Sequence, residues 1–146
     1  MEIRALKIDD LEECIPLFIR EWSKPPYNEK WTIETARLRL SEILQNSHES
    51  SLCVLDENKI IGFAFCRLVS WYDGKHGSIE EMIIDSQHQN QGIGTKLLNS
   101  LEENFRKLGA VEIELLSFRN AHAFKFFSKH GFSESEWRYL VKALNT

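Results

Sequence analysis

The chain is poor in the residues that would mark a stapled, fibrous or membrane-spanning protein. Its three cysteines, Cys14, Cys53 and Cys66, are odd in number, far apart and set among apolar residues. That pattern argues against a disulfide framework, lacks zinc-ligand spacing, and reads as three core thiols. Three prolines and seven glycines leave no flexible linker, and there is no internal repeat or low-complexity tract. No apolar run approaches the roughly 20 residues of a membrane helix. The longest, Ile60 to Cys66, reads as a buried strand. Basic charge is not in excess either: 18 Lys and Arg stand against 22 Asp and Glu, a net charge of −4. Such a balance leaves no electrostatic footprint for nucleic acid and, if it steers anything, steers cations. Glu2, Arg4, Lys7, Asp9 and Asp10 interrupt the start of the chain, so no signal peptide is expected and a cytoplasmic location is.

What is present is an ordinary globular composition, 42% hydrophobic and 27% charged. Its 146 residues suit a single domain, 1–146, with a core of its own. The first segment alternates, with Ile3 and either Ala5 or Leu6 turned inward, and ends at Asp9 and Asp10, good helix caps. Leu11, Cys14, Ile15, Phe18, Ile19 and Trp22 then recur at helical spacing. Pro25 and Pro26 break that helix. Thr32 and Thr35 cap a second, carried by Ile33, Ala36, Leu40, Ile43 and Leu44. Trp22, Tyr27 and Trp31 crowd the loop between them, either as packing that fastens the helices or as the wall of a substrate pocket.

Residues Ser51 to Leu55, Ile60 to Val69 and Ile79 to Ile84 read as three consecutive antiparallel strands joined by polar turns. Val111 to Leu116 gives another strand, Asn120 to His130 a helix, and Trp137 to Leu144 a final strand. The order β-α-α-β-β-β-α-β-α-β predicts an α+β fold, a mixed and mostly antiparallel sheet flanked by helices. The strands at Ile79 and Val111 are joined through a helix and should run parallel.

That joining helix is the most informative stretch. Ile93, Leu97, Leu98, Leu101, Phe105 and Leu108 form one apolar stripe, Glu102/Arg106 and Glu103/Lys107 sit four apart, and Gly109 stands at the C-cap position. The helix begins at Gly92-Ile93-Gly94, so its free N–H groups face a loop too small to block a ligand. Such an end favours phosphate. A tight turn that needs glycine for its geometry explains the same residues. Neither a Walker loop nor a dinucleotide fingerprint is present.

Taken together, two segments resemble the GCN5-related N-acetyltransferases. Gln89-x-x-Gly92-x-Gly94 is similar to that family's [Arg/Gln]-x-x-Gly-x-[Gly/Ala] loop, and Asn120-x-x-Ala123, ending in Gly131-Phe132, to its Asn-x-x-Ala segment. The resemblance covers most of the chain through the element order. It implies acetyl-coenzyme A as cofactor. The pyrophosphate would be held by Gln89, Asn90, Gln91, Gly92, Ile93, Gly94, Thr95 and Lys96, and the pantetheine arm by the backbone of Met82, Ile83 and Ile84 in a strand that splays from its parallel neighbour. Asn120 and Phe127 would also contact the coenzyme, Asn120 being equally readable as a helix N-cap.

Acetyl transfer to an amine needs the neutral amine, whereas a lysine-like group has a pKa near 10.4, so a base is required. Glu80 and Glu81 interrupt an apolar strand and, as neighbours, should face opposite sides. The resemblance favours Glu81 as the base, since an acidic residue often stands there in aminoglycoside-acetylating members. It also puts Phe127 where the family's tyrosine general acid stands, which leaves Tyr139, His122, Ser117 or solvent to protonate the thiolate. His130 reads as a helix-end residue. Trp22, Tyr27, Trp31, Glu80 and Glu81 are the expected substrate-binding residues, no metal is expected, and the acceptor is expected to be a small cationic amine. The Trp22 to Trp31 loop and the Ile79 to Ile84 strand look like the aminoglycoside 6′-N-acetyltransferase subgroup, with polyamines, small amines and protein N-termini or lysines open. A silent acyl-coenzyme A binding or sensing module is the alternative. Beyond a small-molecule amine the chain is expected to meet neither nucleic acid nor membrane, and a homodimer is left open.

Overall fold

A computed structural model describes residues 1–145 of the chain. The elements run β1 (Glu2–Ala5), α1 (Leu11–Trp22), α2 (Ile33–Gln45), β2 (Leu52–Asp56), β3 (Lys59–Trp71), β4 (Gly74–Ile84), α3 (Ile93–Lys107), β5 (Ala110–Leu115) and α4 (His122–Lys129), with 3-10 turns at Ile8–Asp10 and Ser86–His88. The chain falls into two compact units, one ending at Leu116 and one starting at Ser117. No helix among the described residues is long and apolar enough to cross a membrane.

The first unit holds a five-stranded sheet in the order β1-β2-β3-β4-β5. β1 to β4 pair antiparallel and β5 joins β4 in parallel, as the alternating strands and the intervening helix require. On one face α1 and α2 bury Phe18, Ile15 and Leu40 against Cys53, Phe63, Phe65 and Ile83. Strand residues of the other parity, Val54, Ala64 and Cys66, are also fully buried, and α3 lies against β2, β4 and β5 with Leu97, Leu98, Leu101 and Phe105 inward. All three cysteines are buried and unpaired. Burial pushes their thiols up, that of Cys53 to about 11, so they behave as inert core residues.

Several boundaries differ from the sequence reading. β4 begins at Gly74, because β3 and β4 form one long hairpin paired from Trp71↔Gly74 to Gly62↔Ile84. α4 starts at His122 with Ala121 at its N-cap, so Asn120 is not the cap. No strand forms over 137–144 among the described residues. Alternation in that segment supplies a pattern without a ladder partner, and Trp137, Leu140 and Val141 stay exposed.

The tightest approach is at Gly77. A Cβ there would meet Phe105 ring carbons at 2.6–2.8 Å, so α3 sits as close to β4 as it does because residue 77 has no side chain. Gly77→Ala is expected to destabilise the protein by about 1–3 kcal/mol through overpacking. Urea unfolding measures this, and an unchanged midpoint would mean that the Phe105 ring moves aside without cost.

Candidate active site

The pairing of β3 with β4 slips at one point: Phe65 faces Glu81 and Cys66 faces Ile79, so Glu80 is the extra residue of a β-bulge. A bulge bends its strand and re-aims a side chain. The expectation that Glu80 and Glu81 face opposite sides therefore fails. Arg39, from α2, reaches both, with Nη2 3.0 Å from Glu81 Oε2 and 3.9 Å from Glu80 Oε2. Glu80 is also paired with Arg67 of β3 and stays partly in solvent.

Glu81 is the unusual member. It is 8% exposed, and its Oε2 takes the Arg39 hydrogen bond at 3.1 Å while Oε1 is buried without a hydrogen bond of ordinary geometry. Burial, the largest influence, raises its pKa to about 7, and the Arg39 charge only partly offsets that. The buried indole N–H of Trp22 also interacts with the Glu81 carboxyl and works against that rise, although no hydrogen bond of ordinary geometry forms between them. A half-neutral buried carboxyl is suited to proton transfer near pH 7.

The aromatic group is both packing and wall. Phe18 meets Trp31 and Trp22 edge to face at 4.9 and 6.3 Å, and Trp22 meets Tyr27 at 4.4 Å. Trp22 and Trp31 pack on the core cluster, yet Trp22, Tyr27 and Trp31 all remain partly exposed. Trp31 Nε1 donates to Glu29 at 2.7 Å.

At the far end of β4 the parallel ladder to β5 stops at Ile79↔Leu115. From Glu80 to Ile84 the strand has no ladder partner on that side among the described residues. Ile83 points into the core, Met82 and Ile84 are half-buried, and Gln89 Nε2 donates to the Ile84 carbonyl at 3.0 Å. The chain then turns through Ser86–His88 into the loop, where Asn90 and Gly92 take left-handed φ of 64° and 77°. Gly92 is the N-cap of α3 and offers no side-chain cap. Gln89 to Gly92 are exposed while the Ile93 side chain is buried, so what this turn presents is backbone N–H groups, with Gly94, Thr95 and Lys96 in the first turn behind them. The α1 end is fastened to the same corner by Arg20–Asp85 at 3.0 Å and Lys24–Ser86 at 2.7 Å.

Thus β4, the end of α1 and the segment between α1 and α2 supply Glu80, Glu81, Trp22, Tyr27 and Trp31, with Trp22 reaching the Glu81 carboxyl. Asn120 and Phe127 belong to the second unit, where Phe127 packs edge to face on Phe126 and Phe132 at 5.2 and 5.4 Å. Tyr139 is exposed in that unit and His130 Nδ1 lies 2.8 Å from the Phe126 carbonyl at the end of α4. Arg39 is the residue that sequence reasoning missed. It falls beside Leu40 on the apolar stripe Ala36, Leu40, Ile43, and a charge on a core-facing stripe is itself a sign of a buried partner.

Since the native state holds the Glu81 proton up to about pH 7 and the unfolded chain releases it near 4.5, ionising Glu81 costs stability as pH rises through that window. Relative to Glu81→Gln, the wild type is expected to lose about 3 kcal/mol between pH 4.5 and 8. Urea unfolding of both proteins across that range checks this; parallel curves would show that the carboxyl is not held protonated.

Residues 17–132 match the model of a family described as Acetyltransferase (GNAT) family. An uncharacterised N-acetyltransferase of Methanocaldococcus jannaschii is 27% identical over 97% of this chain, and the chain spans 66% of that protein's length. A spermidine N(1)-acetyltransferase of Thermoplasma acidophilum is 26% identical over 90% of this chain and 88% of its own. Among solved structures, an aminoglycoside acetyltransferase from an uncultured soil metagenomic sample, in complex with sisomicin, superposes with a TM-score of 0.75 at 21% identity, covering 99% of this chain and 96% of that one.

Proposed function

The chain belongs to the Acetyltransferase (GNAT) family and is an acyltransferase by that membership, and we propose that it moves an acetyl group from acetyl-coenzyme A to a primary amine of a small cationic acceptor. The observation that carries this reading is Glu81, a buried carboxyl near pKa 7 set against Arg39 and the indole of Trp22 in an aromatic wall. A protonated amine of pKa about 10 has to lose its proton before it attacks, and a base poised near 7 takes that proton at neutral pH. Arg39 holds Oε2 and so fixes the orientation of the carboxyl. Trp22, Tyr27 and Trp31 give faces on which a cation rests, and Glu80 adds negative charge. A polyamine or an aminoglycoside presents this chemistry, in keeping with the spermidine and sisomicin named for the two proteins above.

The coenzyme supplies the activated acetyl group. Its proposed seat fits the residues present: the unpaired β4 edge from Glu80 to Ile84 offers backbone groups to an amide-bearing arm, and the turn at Gly92 offers N–H groups to phosphate. An amide near Ile84 would stabilise negative charge developing on the thioester oxygen. The reading takes the chain as one cytoplasmic acetyltransferase domain, since the family match runs through both compact units. A silent acyl-coenzyme A binding module is the second reading, favoured by Phe127 at the position of the family's tyrosine.

Turnover of acetyl-coenzyme A on an amine panel separates the two. Spermidine or kanamycin-type amines are expected to accelerate thiol release, with kcat/KM rising with pH to a bend near 7. In Glu81→Gln that bend disappears and the rate falls about 10²–10⁴-fold. An unchanged pH profile removes the base role, and coenzyme binding without transfer to any amine supports the silent module.

Gly92→Asp is expected to weaken coenzyme A at least tenfold by calorimetry. A Cβ at Gly92 meets nothing within 4 Å inside the protein, so the loss would come from carboxylate against phosphate together with the strain of a left-handed φ, which Gly92→Ala isolates at about 1 kcal/mol. Equal affinity in Gly92→Asp and Gly92→Ala would overturn the phosphate assignment.

A further inference from the structure

At the opposite end of β4, before the bulge, His76 lies on the strand paired with β5. It is 7% exposed, and Trp71 stacks on its ring at 5.2 Å and 23°. Nε2 is 2.9 Å from Asp73 Oδ1. An ionised carboxylate only accepts, so Nε2 carries a hydrogen; burial works against the charged ring, but Asp73, Glu112 and Glu114 outweigh it and raise the ring's pKa, and a cation at Nδ1 would take the place of the second ring proton. That Nδ1 is buried and has no hydrogen-bond partner. It faces Glu112 Oε2 and Glu114 Oε2 of β5, each at 3.5 Å. The two glutamates share one face of β5, and the register sets His76 beside Glu112 and Ser78 beside Glu114.

These separations are too long for strong N–H···O bonds, whose usual length is about 2.9 Å. They do match the edge of a tetrahedron around a metal bonded at about 2.1 Å, an edge of about 3.4 Å. All three ligand atoms lie within 4.8 Å of one another. Two carboxylates and a neutral imidazole balance the charge of a divalent ion, and the Asp73 contact is the outer-sphere carboxylate that fixes a ligating histidine's tautomer. We propose that His76 Nδ1, Glu112 and Glu114 form a binding site for a divalent transition-metal cation of the zinc class, with solvent completing the coordination. The site ties β4 to β5 at the start of their parallel ladder. It is separate from Glu81, which lies five residues further along β4, roughly 16 Å of extended chain.

Zinc binding to the whole protein, followed by competition with a chromophoric chelator and by thermal unfolding, tests this. One equivalent is expected to bind in the micromolar range and to raise the Tm. Glu114→Gln and Glu112→Gln, both at partly exposed side chains that leave the fold intact, are each expected to weaken binding at least tenfold. His76→Gln is expected to abolish it, and an imidazole ¹⁵N shift at Nδ1 of the wild type identifies the ligating atom. Zinc affinity equal in the wild type and Glu114→Gln, no binding at all, or protonation of both His76 nitrogens at pH 7.5 with zinc present would overturn the assignment.

Discussion

Burying Glu81 is the constraint on which the first unit's arrangement turns. A carboxyl moved out of water carries a desolvation cost that a single guanidinium at 3.0 Å only partly offsets, and here the balance leaves the group half-neutral near pH 7. Arg39 meets it only because α2 lies at one angle and depth over the sheet. That placement is set by the reciprocal Thr32/Thr35 cap at the helix start and by Ala36, Leu40 and Ile43 in the core. Removing the carboxylate would leave Arg39 partly solvated, whereas removing Arg39 would leave a buried anion. The two halves of the pair are therefore unequal, and the strand carries the more demanding one.

The bulge at Glu80 and the end of the β4–β5 ladder fall at the same residues. One extra residue on β4 bends that strand, and β5 itself ends at Leu115, so a row of β4 backbone groups beyond Ile79 has no strand partner on that side among the described residues. The Arg20–Asp85 and Lys24–Ser86 contacts then hold the following corner to the end of α1. The aromatic loop that starts at the end of α1 is thereby tied to the strand that carries Glu81. The end of β5 and the adjacent bulge thus supply the opening proposed for the coenzyme arm and the side-chain placement proposed for the base.

Sequence periodicity was sufficient for α1, α2 and α3, whose apolar stripes and caps are local properties. The antiparallel order and the parallel β5 followed from turn chemistry and the helical connection. The bulge was not legible, because an inserted residue changes no hydrophobic period over so short a strand, and so the relative directions of Glu80 and Glu81 came out wrong. Arg39 was legible in principle as a charge on an apolar stripe, but its partner lies 42 positions away, and no local pattern names it. Residues 137–144 show the converse: alternation describes what a strand would bury, while a strand also needs an edge to pair with. Glycine spacing located the turn at Gly92, and resemblance, not physics, attached a coenzyme to it.

β4 answers different demands along its eleven residues. At Gly77 it must let α3 approach, which requires no side chain on one face. One residue earlier, His76 must point to the other face, where Glu112 and Glu114 project from β5. Strict two-residue alternation continued from His76 would put residue 80 on that same face and residue 81 on the α3 face. The bulge resets the parity, so that Glu81 and Ile83 turn toward α1 and α2 while Gly77 and Ile79 keep facing α3. An extended strand without the bulge could serve either the close packing at Gly77 or the buried carboxyl at Glu81, and the inserted residue lets one strand serve both.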